Sequence, residues 1–267
     1  MGLWSDKQIL QLKKIVASVH EYNTNIGIQL NHAGRKSQVN GTTIAPSAIS
    51  YPGLKMPQAM DQKEINRVIN LFKSSTIRAN KAGFDFIEIH AAHGYLISEF
   101  LSPLTNHRTD AYGGSIFNRA KFLKEVIQTV RAVWPKEKAL IVRVSAEDFE
   151  EAGNHPDDLA AIINYVKEEG VDIIDVSSGG VTNVKVLSYP GYQLEMARII
   201  KEKTKLFVIG GGLLTGAKMM EDSLKNSLVD FIFLGLELLR NPYFPLQVSQ
   251  QLGVKIEWPK QYIRAQN

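Results

Sequence analysis

The chain has 267 residues, 44% hydrophobic and 22% charged, with no cysteine. That excludes a disulfide framework, a thiolate zinc site and an iron–sulfur cluster held by its own residues. The formal charge of +4 comes from dispersed residues such as Lys13, Lys14, Lys201 and Lys203, which read as solvated helix faces, so no nucleic-acid partner is expected. No apolar run approaches the roughly 18 residues of a membrane span. The N-terminal segment lacks the apolar stretch of a signal peptide, and a soluble, cytoplasmic protein is expected.

The chain opens on an amphipathic helical pattern, Asp6–Glu21. A short β-branched run, Ile26–Leu30, predicts the first strand, and a long connection, Asn31–Met60, follows it. Helix Asp61–Lys81 leads to strand Phe84–His90 and a second long connection, Ala91–Ser115. Thereafter helix and strand alternate: Ile116–Trp134, Ala139–Val144, Pro156–Glu169, Val171–Val176, Gly191–Lys203, Leu206–Ile209, Gly216–Asn226, Phe231–Leu234 and Pro242–Leu252. Short runs apolar on both sides suit parallel strands covered by helices. Their alternation every 25–35 residues or so is the βα signature of a barrel or a doubly wound sheet. No linker or compositional break divides residues 1–267, so a single domain is expected. Six strands are found where a closed barrel has eight.

Chemistry-bearing residues gather at the predicted C-terminal ends of strands, where barrel active sites are built. His90, His93 and Tyr95 lie at and just past the second strand. Two imidazoles three residues apart can donate to one oxygen, and a nearby phenol can deliver a proton. The same spacing also occurs in structural histidine pairs, and a metal would want further ligands. Gln29 near the end of the first strand can both donate and accept at a heterocycle edge. Arg143 inside the apolar run VRVS cannot be buried cheaply without a partner. Gly210, Gly211 and Gly212 follow the fifth strand and Gly235 the sixth; glycines there either admit a phosphate to the backbone or form a loose loop. The segment 106–115, NHRTDAYGGS, reads as a polar βα loop with a Gly113–Gly114 turn.

Together these strings resemble the bacterial NADPH-dehydrogenase subclass of the Old Yellow Enzyme family. The matching strings are IGIQLNHAGRKS (26–37), APSAI (45–49), VRVSAEDF (142–149), PGYQ (190–193) and LGLELLRNPYF (234–244); the longest runs from AGFDFIEIHAAHGYL through NHRTDAYGGSIFNR (82–119). The resemblance implies a TIM (β/α)8-barrel and an FMN cofactor reduced by NADPH or NADH. It also implies reduction of the activated C=C bond of an α,β-unsaturated carbonyl or nitro compound. By the same resemblance His90 and His93 hold and polarise the substrate oxygen, which is oxyanion-type stabilisation. Tyr95 is the matching proton donor, against hydride delivered from the flavin to the β-carbon. Gln29 and Arg143 match residues at the flavin's pyrimidine edge, and Gly210–Gly212 with Gly235 match the phosphate loop.

Two departures from the family pattern carry expectations. Relative to the family the chain lacks roughly the first seventy residues, about two βα units. The barrel is therefore expected to be incomplete, with about six of eight strands. Leu236 stands where the family has an arginine on the FMN phosphate; a charged hydrogen bond is worth about 1.5–3 kcal/mol, so FMN binding roughly tenfold to a hundredfold weaker is expected. A truncated, non-catalytic remnant without flavin is thus the alternative. Gln261, Tyr262 and Arg264 match a C-terminal string whose arginine reaches a neighbouring subunit's active site, which implies a homo-oligomeric parent and a substrate-binding Arg264.

Overall fold

In the computed structural model, which describes residues 2–266, the opening helical pattern becomes a 3-10 turn, Asp6–Gln8, running into α1 (Ile9–His20). Ser5 caps the turn, and Leu12 and Val16 bury its inward stripe. Strand β1 (Gly27–Leu30) is followed by the first long connection, which is structured: a 3-10 turn at Gly34–Lys36 and a two-residue parallel ladder between β2 (Ile44–Ala45) and β3 (Gln58–Ala59). Helix α2 (Gln62–Ala82) starts where the Asp61 side chain accepts from Glu64 N–H at 2.8 Å and stops at Gly83. The second unit is β4 (Phe86–Ala91), α3 (Leu96–Leu101) and α4 (Ile116–Arg131), the last capped by Ser115. Then come β5 (Leu140–Ser145), α5 (Pro156–Val166) with proline in its first turn, β6 (Ile173–Ser177) and α6 (Leu194–Thr204). The chain continues through β7 (Phe207–Gly210), α7 (Ala217–Lys225), β8 (Phe231–Ile232), α8 (Leu236–Arg240) and α9 (Phe244–Gln251).

Six strands form one parallel sheet in the order β1-β4-β5-β6-β7-β8, so every strand lies beside its predecessor in the βα series. The fold is α/β. The sheet is open: β1 and β8 do not pair with one another, and the barrel is not closed. Among the described residues no helix is long and apolar enough to cross a membrane.

Alternation along each strand divides the side chains between two faces. Ile87, Ile89, Leu140, Val142, Val144, Ile174, Val176 and Val208 face the helices and are buried. Phe100 and Phe122 stack at 4.3 Å between α3 and α4 in the same core. The opposite face carries Gln29, Glu88, His90, Arg143 and Asp175, joined by register: Gln29 opposite Glu88, and His90 opposite Arg143 opposite Asp175. On β7 and β8 this inner face turns apolar, with Phe207 and Phe231 in edge contact at 6.3 Å and both exposed.

Candidate active site

His90 is the penultimate residue of β4 and points to the inner face, 3% exposed. The chain then turns sharply. His93 takes φ +58° and Gly94 φ +64°, two successive left-handed residues, of which the first is strained for a residue with a Cβ. The turn is held against the loop after β6 by direct backbone contact. A Cβ at Gly94 would lie 2.2 Å from the Gly180 carbonyl oxygen, and one at Gly180 only 2.7 Å from His93 Cα, so neither position admits a side chain.

Four contacts fix His93 in that conformation. Its N–H donates to Ser145 Oγ at 2.8 Å, and Ser145 Oγ in turn donates to the Gly179 carbonyl at 2.8 Å. Its carbonyl accepts from Lys36 Nζ at 2.8 Å, and the same ammonium donates to the Gly180 carbonyl. Its Nε2 lies 2.7 Å from Ser177 Oγ and its Nδ1 3.3 Å from His90 Nε2. His90 Nδ1 is buried with no partner. Tyr95, the residue before α3, sets its ring 5.4 Å from that of His90, and Lys36 Nζ sits 5.7 Å from the Tyr95 ring centre and 4.2 Å from that of Tyr51.

Burial determines the protonation state of this pair. It lowers His90 to about 3, helped by His93 and Arg143, and His93 to about 4, helped by Arg143 and Lys36. Both rings are therefore neutral near pH 7, and each has one N–H to donate. Beneath the turn, Glu99 of α3 is fully buried and accepts from Arg35 N–H at 2.9 Å. Burial raises its carboxyl to about 8, against the lowering effect of the Arg35 backbone bond and charge.

Arg143 lies one strand over from His90. Its Nε is 3.4 Å from Asp175 Oδ2, too poorly aligned for a hydrogen bond, and remains a buried donor without an acceptor. It opens onto a cleft of about 220 Å³ at the C-terminal ends of β6, β7 and β8, lined by the buried Ser177, Gln193 and Gly212 and by the exposed Gly235, Leu236 and Arg240 at its rim. Ser177 thus joins the cleft to the histidine pair. Arg240 is paired with Glu237 at 2.8 Å.

Of the residues expected from the sequence, His90, His93 and Tyr95 cluster, and Arg143, Gly212 and Gly235 surround the adjoining cleft. Gly210 and Gly211 do not line it. A Cβ at Gly210 would meet Val229 and Ala197, and one at Gly211 would meet Phe233, so these two glycines allow close packing beneath the cleft. Gln29 stands on the exposed edge strand and donates to Glu88 at 2.5 Å. Arg264 lies in an exposed 3-10 turn, Lys260–Ala265, outside the cleft lining. Lys36, Ser145, Ser177, Glu88, Asp175 and Glu99 were not anticipated. Glu88 and Asp175 carry the signal that singled out Arg143, a charge inside an apolar strand; Lys36 sits within the string IGIQLNHAGRKS with nothing local to mark it.

A family model described as the NADH:flavin oxidoreductase / NADH oxidase family matches residues 1–255. An NADPH dehydrogenase of Halalkalibacterium halodurans is 46% identical over 265 residues, 99% of this chain and 78% of that protein. One from Clostridium acetobutylicum is 47% identical over 100% of this chain and 79% of that protein. Among solved structures, morphinone reductase superposes with a TM-score of 0.80 at 26% identity, over 97% of this chain and 74% of that one. The old yellow enzyme homologue from Zymomonas mobilis gives 0.79 at 26% identity, over 98% and 77%. A 2-naphthoyl-CoA reductase shares the fold at a TM-score of 0.89 and 24% identity, and this chain spans 42% of its length. With a family match across nearly all its residues and relatives near half identity, the chain belongs to the NADH:flavin oxidoreductase / NADH oxidase family.

Proposed function

We propose that the chain carries the site of an FMN-dependent NAD(P)H oxidoreductase that reduces the activated C=C bond of an α,β-unsaturated carbonyl or nitro compound. The observation that carries this reading is the convergence of two neutral imidazoles and a phenol beside a half-buried guanidinium whose buried Nε–H has no acceptor. The residues fit a flavin: an unpartnered Arg143 N–H suits a heterocycle carbonyl, and around Gly235 no atom lies within 4 Å of where a Cβ would stand, leaving the backbone open to an anion. Bound there, FMN would supply reducing equivalents taken from NADPH or NADH.

The side chains have separable roles. His90 and His93 exchange their mutual hydrogen bond for two donations to the substrate's carbonyl or nitro oxygen, drawing charge away from the β-carbon. Because both rings are neutral, the oxygen is polarised without being protonated. The Tyr95 phenol gives a proton to the α-carbon. Gln29 and Arg143 hold the flavin edge, and Gly212 and Gly235 border the phosphate. Leu236 brings no charge to that rim, which places FMN affinity below that of a site with arginine there.

Two finer readings belong with this one. The six strands are an arc of a (β/α)8 barrel, a reading supported by the inner-face aromatics Phe207 and Phe231, which an additional strand layer would cover. Arg264, exposed on its C-terminal turn, is available to complete a neighbouring subunit's site. The test is titration of the purified chain with FMN, followed by flavin fluorescence, then NADPH addition and reoxidation by a cyclic enone. Saturable quenching and enone-dependent turnover that Tyr95→Phe slows are expected. Absence of saturation at tens of micromolar FMN would reject the flavin reading for this chain and favour a non-catalytic remnant.

A further inference from the structure

The histidine pair is tied through Ser177 to a side chain with no role in the chemistry outlined above. Gln193, the residue before α6, is 2% exposed. The turn that delivers it is held to the loop after β7 by Gly191 N–H, which donates to the Gly212 carbonyl at 2.7 Å. The Gln193 amide nitrogen faces three hydroxyl oxygens: Ser177 Oγ at 3.2 Å, Ser178 Oγ at 3.0 Å and Tyr192 Oη at 3.0 Å. An amide nitrogen donates and cannot accept. The hydroxyl hydrogen of the buried Ser177 is therefore turned away from Gln193, and the partner left for it among the described residues is His93 Nε2, 2.7 Å from Ser177 Oγ.

We propose that Gln193 and Ser177 are positioning residues that fix the tautomer of His93, holding its single N–H on Nδ1. A neutral imidazole has one donor and one acceptor nitrogen, so a ring whose Nε2 accepts from Ser177 carries its proton on Nδ1. That nitrogen lies on the edge shared with His90, 3.3 Å from His90 Nε2. In the free protein His90 Nε2 is then the acceptor, and the His90 proton is left on Nδ1, the buried atom without a partner. An oxygen placed between the rings meets a donor already facing it at His93. His90 then loses its proton from Nδ1 to water and regains one at Nε2, which gives the oxygen a second donor and ends the burial of an unused one. With the opposite His93 tautomer the shared edge would offer that oxygen a lone pair and repel it. The use of the tautomer rests on the reading of the pair as holder of a substrate oxygen; the tautomer itself does not.

The test uses the whole 267-residue chain and reads the tautomer directly, without cofactor. In long-range ¹H–¹⁵N spectra, with the His93 signals assigned by their loss in His93→Gln, the wild type should show a protonated Nδ1 and a bare Nε2. Ser177→Ala should replace this with the averaged signals of both tautomers, and Ser177→Thr, which keeps a hydroxyl, should retain the wild-type pattern. Gln193→Glu should reverse it: an ionised carboxylate only accepts, so Ser177 turns its hydrogen away from His93 and its oxygen takes the proton of His93 Nε2. A wild-type ring protonated on Nε2, or His93 signals unmoved by Ser177→Ala, would overturn the proposal, and these two measurements decide it if Gln193→Glu does not fold. With FMN present, 4-hydroxybenzaldehyde should bind Ser177→Ala about tenfold more weakly than the wild type, the equivalent of one hydrogen bond. Equal affinity for the two would overturn the positioning role. A wild type with the expected tautomer that binds no phenol would keep the assignment of Gln193 and Ser177 and remove the oxygen-holding reading of the pair.

Discussion

Lys36→Met should separate the stability of the crossing between the loops after β4 and β6 from its use. Burial lowers Lys36 from 10.5 to about 8, with Arg35 contributing. At about 1.4 kcal/mol per pH unit the buried charge costs roughly 3 kcal/mol, which solvent at this half-buried site trims to about 1–2 kcal/mol. Methionine removes that cost. It also strands the His93 and Gly180 carbonyls, at about 1 kcal/mol each, the low end of the range because water reaches both partly exposed residues. Relaxation of the left-handed His93 backbone returns about 1 kcal/mol. These contributions nearly cancel. Urea unfolding of Lys36→Met should therefore give a stability within about 1 kcal/mol of the wild type. The imidazole should not stay where it is: with its carbonyl released, His93 loses its bonds to Ser177 and His90. Long-range ¹H–¹⁵N spectra should show the His93 ring nitrogens moving toward the shifts of an unbonded, tautomerically averaged imidazole. A loss above about 3 kcal/mol, or His93 signals that do not move, would refute the assignment of Lys36 as the clamp.

Gly94→Ala and Gly180→Ala each put a Cβ within 2.7 Å of backbone and at positive φ, and should cost more than about 3 kcal/mol in denaturant unfolding, whereas Gly216→Ala, with nothing within 4 Å, should cost a few tenths, roughly. His32, His90 and His93 have folded values lowered to about 4, 3 and 4, so their contribution is complete above pH 6.5 and is lost as pH falls toward those values. Glu99 and Asp175, raised to about 8 and 7, act oppositely and lose stability as pH rises through those values. Between pH 6.5 and 4.5 the three histidine protons taken up by the unfolded chain outweigh those that Glu99 and Asp175 hold in the folded one, and Asp148, whose carboxyl burial also raises, narrows the difference, so acidification should cost at most about 1.4 kcal/mol per pH unit; urea unfolding at pH 7, 6 and 5 checks it, and stability rising toward pH 5 would contradict it. Glu99→Gln removes one of the two folded-state protons, so it should raise stability at pH 7 by about 3 kcal/mol and by almost nothing at pH 4.5, measured the same way.

The strands were legible because each parallel strand is apolar on its helix-facing side and short, and all six lie within two residues of their expected limits. Helix α2 was legible from Asp61, a wide apolar stripe and Gly83. Helix α3 was not, because Leu96 to Leu101 are buried on every side, Ser98 and Glu99 included, and a helix with no solvent face has no 3.6-residue signal. The β2–β3 ladder is likewise too short to leave a pattern. His90, His93 and Tyr95 were legible because they lie within six residues of one another at a single strand end. What completes their site comes from other loops: Lys36 after β1, Ser145 at the end of β5, Ser177 at the end of β6. Those contacts depend on register and on the approach of two backbones, which no local pattern records.

The division of labour between the two faces of the sheet explains why such a site is affordable in stability. Buried charge is expensive, and the inner face holds Glu88, Arg143 and Asp175 within two neighbouring layers. None of these is needed to bring the strands together, since the aliphatic outer face and the helices bury the main core independently of them. Burial of one Val, Leu or Ile side chain contributes about 1.5–3 kcal/mol, and the outer face supplies such residues on every central strand. The inner face is thereby free to carry unpartnered donors such as Arg143 Nε and His90 Nδ1, which weaken the fold locally and are useful only to something that binds. A polar layer that fell on the helix-facing side, one residue out of register, would have destroyed the core and produced no site. The alternation that makes the sheet stable is therefore also what selects which residues remain available for chemistry.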